Sequence, residues 1–136
     1  MKTLPNQPAF ELIRQLLAEG RDVSIRVEGQ SMLPFFRSGE RIRIRPLHSG
    51  DLQPGQVVLG QTASGHFVIH RILQVTEQSV LLQGDGNLRN REMIPCERIC
   101  GIVPCSRVHR LLARIWRGLG PLRRYPLWLL RHLARP

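Results

Sequence analysis

The sequence predicts a mainly β domain, a compact folded sheet or barrel, with a short N-terminal helix and a basic amphipathic helical tail. Three observations predict it. Short runs of alternating or wholly apolar residues recur between residues 22 and 103, of strand length rather than helix length. Turn signals stand between them: "RSGE", "HSGD", "QPGQ", "TASG" and "GDGN". Beyond Val103 the apolar period lengthens from two to that of a helix, and arginine becomes the dominant polar residue. The chain accordingly divides into an N-terminal helical segment (1–21), a β domain (22–103) and an arginine-rich tail (104–136).

Each element has its own justification. Residues 8–19 place Phe10, Ile13, Leu16 and Leu17 on one helical face, with Pro8 suited to the first turn and Gly20 to the stop. "DVSIRVEG" alternates, and "ERIRIRP" sets Ile42 and Ile44 against Arg41, Arg43 and Arg45. "GQVVLG" is a short apolar run, "HFVIHRILQV" is the longest strand, and "SVLLQGDGN" and "RICGIVP" complete the set. In the tail, Val108, Leu111, Leu112, Ile115 and Leu119 share one helical face and Arg107, Arg110, Arg114 and Arg117 the other. Gly118, Gly120 and Pro121 break that helix, and "LRRYPLWLLRHLARP" forms a second segment.

Length and composition narrow the function classes. A chain of 136 residues supports one hydrophobic core, not two. Eight of the arginines lie at 104–136 without a single acid, so of the formal net charge of +10 only +2 belongs to residues 1–103. Lysine occurs once, at Lys2, which leaves the β domain without a lysine base. Cys96, Cys100 and Cys105 are odd in number and match no familiar zinc spacing, so they read as reduced, structural thiols of a cytoplasmic protein without a metal site. The N-terminus lacks the apolar run of a secretory signal, and no stretch approaches the ~20 apolar residues of a membrane-spanning helix.

Three segments hold residues of catalytic type: Ser31 in "GQSMLP", His70 in "VIHRI" and Asp85 in "QGDGN". A serine hydroxyl becomes a nucleophile when a neighbouring base takes its proton, and imidazole can do so near neutrality. A carboxylate on the far ring nitrogen then holds the tautomer and stabilises the imidazolium. Each residue also has an ordinary role. Serine is common in turns, a lone histidine on a strand face is usually a hydrogen-bonded core residue, and Asp beside Gly and Asn is normal turn chemistry.

The blocks "GQSMLPFFRSGERIRI", "GQVVLG", "FVIHRIL", "LLQGDGN" and "ICGIV" resemble, in order, those of the type I signal peptidases. The self-cleaving peptidase domains of SOS-response repressors share that core. The resemblance covers roughly residues 22–103, about three-fifths of the chain. It implies a signal peptidase I-like serine endopeptidase of the histidine-base branch, using no cofactor, with Ser31 as nucleophile, His70 as general base and Asp85 as orienting acid. Gly29, Gln30, Met32, Leu33 and Pro34 would contact an extended precursor peptide or protein, whose residue before the cut would be small. Gly29 stands where signal peptidases often keep a serine whose hydroxyl serves the oxyanion, which leaves backbone N–H groups for that task. Asn90 and Arg91 occupy the places of a further acidic pair, making Asp85 the one matching carboxylate.

The tail admits two readings: its leucines pack on the β domain with the arginines solvated, or residues 106–135 lie peripherally on an anionic membrane surface. The basic balance permits nucleic acid, but only Trp116, Tyr125 and Trp128 could stack on bases there and no recognised motif accompanies them. The competing function is a catalytically inactive peptide-binding or accessory domain of the same fold. A self-cleaving regulator fits poorly: about twenty residues precede the first strand, and the Ala-Gly bond such proteins usually cut is nowhere in the chain.

Overall fold

A computed structural model describes residues 7–26, 32–36, 39–87 and 89–133. The mainly β class expected from the sequence holds, and among the described residues the strands form two open sheets rather than a closed barrel. Helix α1 (Gln7–Ala18) is followed by β1 (Val23–Arg26) and β2 (Arg41–Ile44), which pair antiparallel as a two-stranded sheet. The remaining strands are β3 (Val57–Gln61), β4 (Phe67–Val75), β5 (Ser79–Gln83), β6 (Glu92–Pro95) and β7 (Ile99–Val103). They form an antiparallel sheet in the order β6-β5-β4-β3-β7. An isolated bridge between Arg45 and Ile102 ties the small sheet to the large one.

The local chemistry explains these elements. The alternation of "RIRI" buries Ile42 and Ile44 and exposes Arg41 and Arg43. Gly50, Gly55 and Gly65 take positive φ in the predicted turns, a conformation glycine adopts without penalty. Helix α1 buries Phe10, Ile13 and Leu17 together with Ile25, Ile42, Ile44 and one face of the large sheet, with Phe10 stacked on Phe67 at 4.6 Å. A second apolar cluster, including Val58, Ile72, Val80, Leu82 and Ile102, fills the other face. Both faces of the central strands are therefore covered. Strand β6, unmarked by sequence pattern, pairs with β5 at the sheet edge.

The tail forms α2 (Arg107–Gly118), a 3₁₀ turn (Gly120–Arg123) and α3 (Arg124–Leu133). The Ser106 hydroxyl caps α2 by accepting from the His109 N–H at 3.0 Å. The predicted break at Gly118 to Pro121 is present, and Pro126 sits in the first turn of α3, where a missing N–H costs little. The orientation of α2 corrects the reading in which its leucines pack on the β domain. Val108, Leu111, Leu112, Ile115 and Leu119 face solvent, and the buried residues of α2 are Ala113 and Trp116. The physical reason is polar. Arg110 donates to the Pro54 carbonyl at 3.1 Å, Trp116 Nε1 donates to the Asp85 carbonyl at 2.8 Å, and Arg131 of α3 donates to the Gly86 carbonyl at 2.8 Å. Each satisfies a group of the β domain that would otherwise lose water without compensation.

Gly101 marks the closest approach between layers. A Cβ there would lie 2.7 Å from Ile44 Cγ2, 2.9 Å from the Arg45 carbonyl oxygen and 3.0 Å from Leu17 Cδ1. Gly101→Ala is expected to destabilise the fold by roughly 1–3 kcal/mol through overpacking, seen as a lower urea midpoint at unchanged slope.

Candidate active site

Strand β4 supplies both ionisable centres of the site. Successive side chains of a strand point to opposite faces, so His70 and Arg71 look away from each other. Both are buried. Arg71 shares its side of β4 with Phe67 and Ile69, and His70 shares the opposite side with Ile72.

Arg71 engages four of its five N–H donors. Its Nε and NH2 donate to the two Asp85 carboxylate oxygens at 2.8 and 2.7 Å, and its NH1 donates to the Gly55 carbonyl at 2.8 Å. The Arg71 and Asp85 side chains are each 1% exposed. This planar two-bond geometry is the strongest a guanidinium and carboxylate make, and it suits a pair withdrawn from water. NH2 also donates to His109 Nε2 at 2.9 Å, so that nitrogen must carry a lone pair. Burial, and then the positive charge of Arg71, lower the His109 pKa below the ordinary imidazole value.

The Asp85 backbone does equal service. Its N–H lies 3.4 Å from Met32 Sδ, and its carbonyl accepts from Trp116. Leu33 packs with Trp116 and Leu127 of the tail, with Phe35 against the same cluster. The Phe35 and Phe36 rings lie 5.0 and 5.4 Å from His109, and the Arg71 guanidinium lies 5.3 Å from the Phe35 ring centre. The turn at 32–36 is thus held from beneath by the core and from the side by α2 and α3.

On the other face of β4, His70 Nδ1 lies 3.1 Å from the Glu92 carboxylate. Asp85, expected as the orienting acid, pairs with Arg71 instead of meeting this imidazole. Asp85 is on the Arg71 face with both oxygens occupied, and the carboxylate that meets the imidazole is Glu92. Register accounts for it: Ile72 opposes Leu82 on β5, and Leu82 opposes Glu92 on β6, so Glu92 belongs to the row that includes the His70 face. The sequence carries no signal for it: Glu92, Met93 and Ile94 do not alternate polar with apolar, and only the pairing of β6 with β5 puts Glu92 on the side of the buried Ile94.

Among the expected substrate contacts, the Met32 and Leu33 side chains are 2% and 1% exposed, packed into the core and against the tail, which leaves their backbone to meet a peptide. Pro34 is partly buried, joined to Leu33 by a cis peptide. Gly29, Gln30 and the expected nucleophile Ser31 lie outside the described residues. The three cysteines are free thiols. Burial pushes Cys100 up to about 11, which makes it a poor nucleophile at neutral pH.

The sequence profile of the family described as Peptidase S24-like matches residues 3–103. The chain belongs to that family. Comparison with curated protein sequences gave no match.

Two outcomes are expected. Arg71→Met, which strands the Asp85 charge, should cost roughly 3–5 kcal/mol, whereas Arg71→Met combined with Asp85→Leu should recover most of that loss. Denaturant melts of the three proteins test this coupling. The second concerns pH. The folded state disfavours protonated His109, so the stability it supports is full above about 6.5, the ordinary imidazole value, and is lost as pH falls through the lower folded value. His109→Gln keeps an acceptor for Arg71 without the titration; its melting temperature should fall less than that of wild type as pH is lowered through this window.

Proposed function

We propose that the protein is a serine endopeptidase in which Ser31 is the nucleophile, His70 the general base and Glu92 the carboxylate that positions it. The observation that carries the proposal is the 3.1 Å contact between His70 Nδ1 and Glu92 in a chain of a peptidase family. With Nδ1–H donated to Glu92, the lone pair of a neutral imidazole resides on Nε2, the nitrogen that must take a proton from a serine hydroxyl. Lysine cannot serve in its place, since the one lysine is Lys2. The resemblance to the histidine-base signal peptidases supports Ser31 and His70 in these roles; Glu92 rests on the contact with His70 alone.

The mechanism follows from these groups. Ser31 Oγ attacks the scissile carbonyl as Nε2 accepts its proton, and the imidazolium is stabilised by Glu92. His70 returns that proton to the leaving amine, so that an ester to Ser31 remains. Water, deprotonated by the same nitrogen, then hydrolyses the ester. Gly29 brings no hydroxyl, so the oxyanion is held by backbone N–H groups, each worth about 3 kcal/mol of barrier. The substrate is a precursor peptide or protein bound extended. Among the described residues β1 pairs only with β2, and its other edge offers backbone groups on which a peptide could add as a strand leading toward Ser31.

A fluorophosphonate probe should label the wild type, and Ser31→Ala and His70→Ala should abolish labelling and the cleavage of a co-expressed precursor. Glu92→Gln should lower kcat by roughly 10²–10⁴-fold with little change in KM, whereas Asp85→Asn should act first on stability. Labelling that persists in Ser31→Ala would sink the assignment. A wild-type protein that binds an extended peptide yet never labels would be the inactive binding domain instead.

A further inference from the structure

Of the twelve large apolar side chains exposed among the described residues, ten lie between Val108 and Leu133. On α2 they are Val108, Leu111, Leu112, Ile115 and Leu119, and on α3 Tyr125, Trp128, Leu129 and Leu133, with Leu122 between the helices. Their exposures run from 41% at Leu119 to 72% at Leu133. Spacings of three, four and seven keep each set on one side of its helix. A helix that binds the β domain by its polar side and turns its apolar side to water is inverted relative to an ordinary surface helix.

Between α2 and the turn at Pro54 and Gly55 lies a cavity of about 430 Å³ bounded by Arg71, Arg107, Arg110, Arg114 and Arg117, with Leu111, a member of the apolar face, at its wall. Asp85 neutralises Arg71, but among the described residues no carboxylate pairs with the four arginines of α2. Burial, and then neighbouring Arg91, lower the Arg117 pKa; burial, and then Arg117, lower that of Arg123. The cations are crowded and short of counter-charge, which an anion would relieve.

We propose that the outer face of α2 and α3 seats the protein on an anionic lipid bilayer, its apolar side chains entering the headgroup–acyl boundary and its arginine cavity taking a lipid phosphate. Charge selects this occupant over a second copy of the chain. Residues 104–136 carry eight arginines and no acid, so two such faces brought together would oppose like charges. A bilayer of anionic lipids supplies both missing complements at once, hydrocarbon for the leucines and phosphate for guanidinium groups on long flexible stems. Tyr125 and Trp128 are the residue types that settle at such a boundary. The buried side of the same helices holds Leu33, so the turn that follows Ser31 lies about one helix diameter, ~10 Å, from the docking plane. The inference is independent of the Ser31 chemistry and would stand if the site were inactive.

Flotation of the full chain with vesicles tests it. The protein should float with vesicles of equal parts phosphatidylcholine and phosphatidylglycerol and stay behind with pure phosphatidylcholine. Emission from exposed Trp128 should shift to the blue on binding, and Trp128→Phe should lose that shift, since Trp116 is already buried. Leu112→Glu with Ile115→Glu, and separately Arg107→Gln with Arg114→Gln, should each weaken binding by roughly tenfold or more. All four positions are solvent-exposed, so circular dichroism melts should match wild type. Equal binding to both vesicle types, or to neither, would overturn the proposal. So would a dimer, seen by sedimentation equilibrium, that the Leu112→Glu/Ile115→Glu change dissociates, because that result gives the face to a second copy.

Discussion

The buried ion pair between Arg71 and Asp85 is the constraint from which the rest of the site is arranged. Two opposite charges withdrawn from water repay their desolvation only when their geometry is good and further hydrogen bonds take up the remaining donors. Here the guanidinium spends its donors on both carboxylate oxygens, on the Gly55 carbonyl and on His109 Nε2. That requirement joins the middle of β4 to the turn after β5, the turn before β3 and the first turn of the tail. The Asp85 backbone extends the network to Met32 and Trp116. Few other pairs of residues could fix so many segments that are distant in sequence.

The pleat of β4 then separates two kinds of work. Arg71 organises structure on one face, and one residue earlier His70 meets Glu92 on the other. The separation keeps the imidazole off the Asp85 pair, whose oxygens are already taken. It also makes register decisive, because a slip of one residue would exchange the two faces. The bulge in the β4–β5 pairing falls after Ile72, beyond both residues, and leaves the alternation at 70 and 71 undisturbed.

Much of the fold is legible in the sequence, and the reasons differ by element. The alternation of Ile42 and Ile44 with arginines and the glycines of the tight turns carry their structure locally, so β2 and the hairpins can be read directly. The face of α1 follows from the spacing of Phe10, Ile13 and Leu17. Strand β6 cannot be read this way: it is four residues long, ends in proline and exposes Met93, so only its pairing with β5 defines it. The carboxylate beside His70 was hidden for the same reason. Choosing Glu92 over Asp85 depends on strand parity across three strands, which residue types do not encode. For the tail, periodicity separates an arginine face from a leucine face but not which one meets the β domain. Carbonyls at Pro54, Asp85 and Gly86 decide that, and they become acceptors only once the domain has folded.

The placement of His109, Trp116 and Leu127 has a consequence for what counts as the folding unit. The family match ends at residue 103, yet these three residues of the tail cover Leu33, complete the donors of Arg71 and satisfy the Asp85 carbonyl. A chain cut after β7 would keep every strand and every residue that resembles the family. It would also open an apolar wound beside the turn that follows Ser31 and leave a guanidinium donor and a carbonyl to solvent. The boundary that similarity draws and the boundary that packing draws therefore differ by about thirty residues. In this protein the appendage is part of the wall of the site.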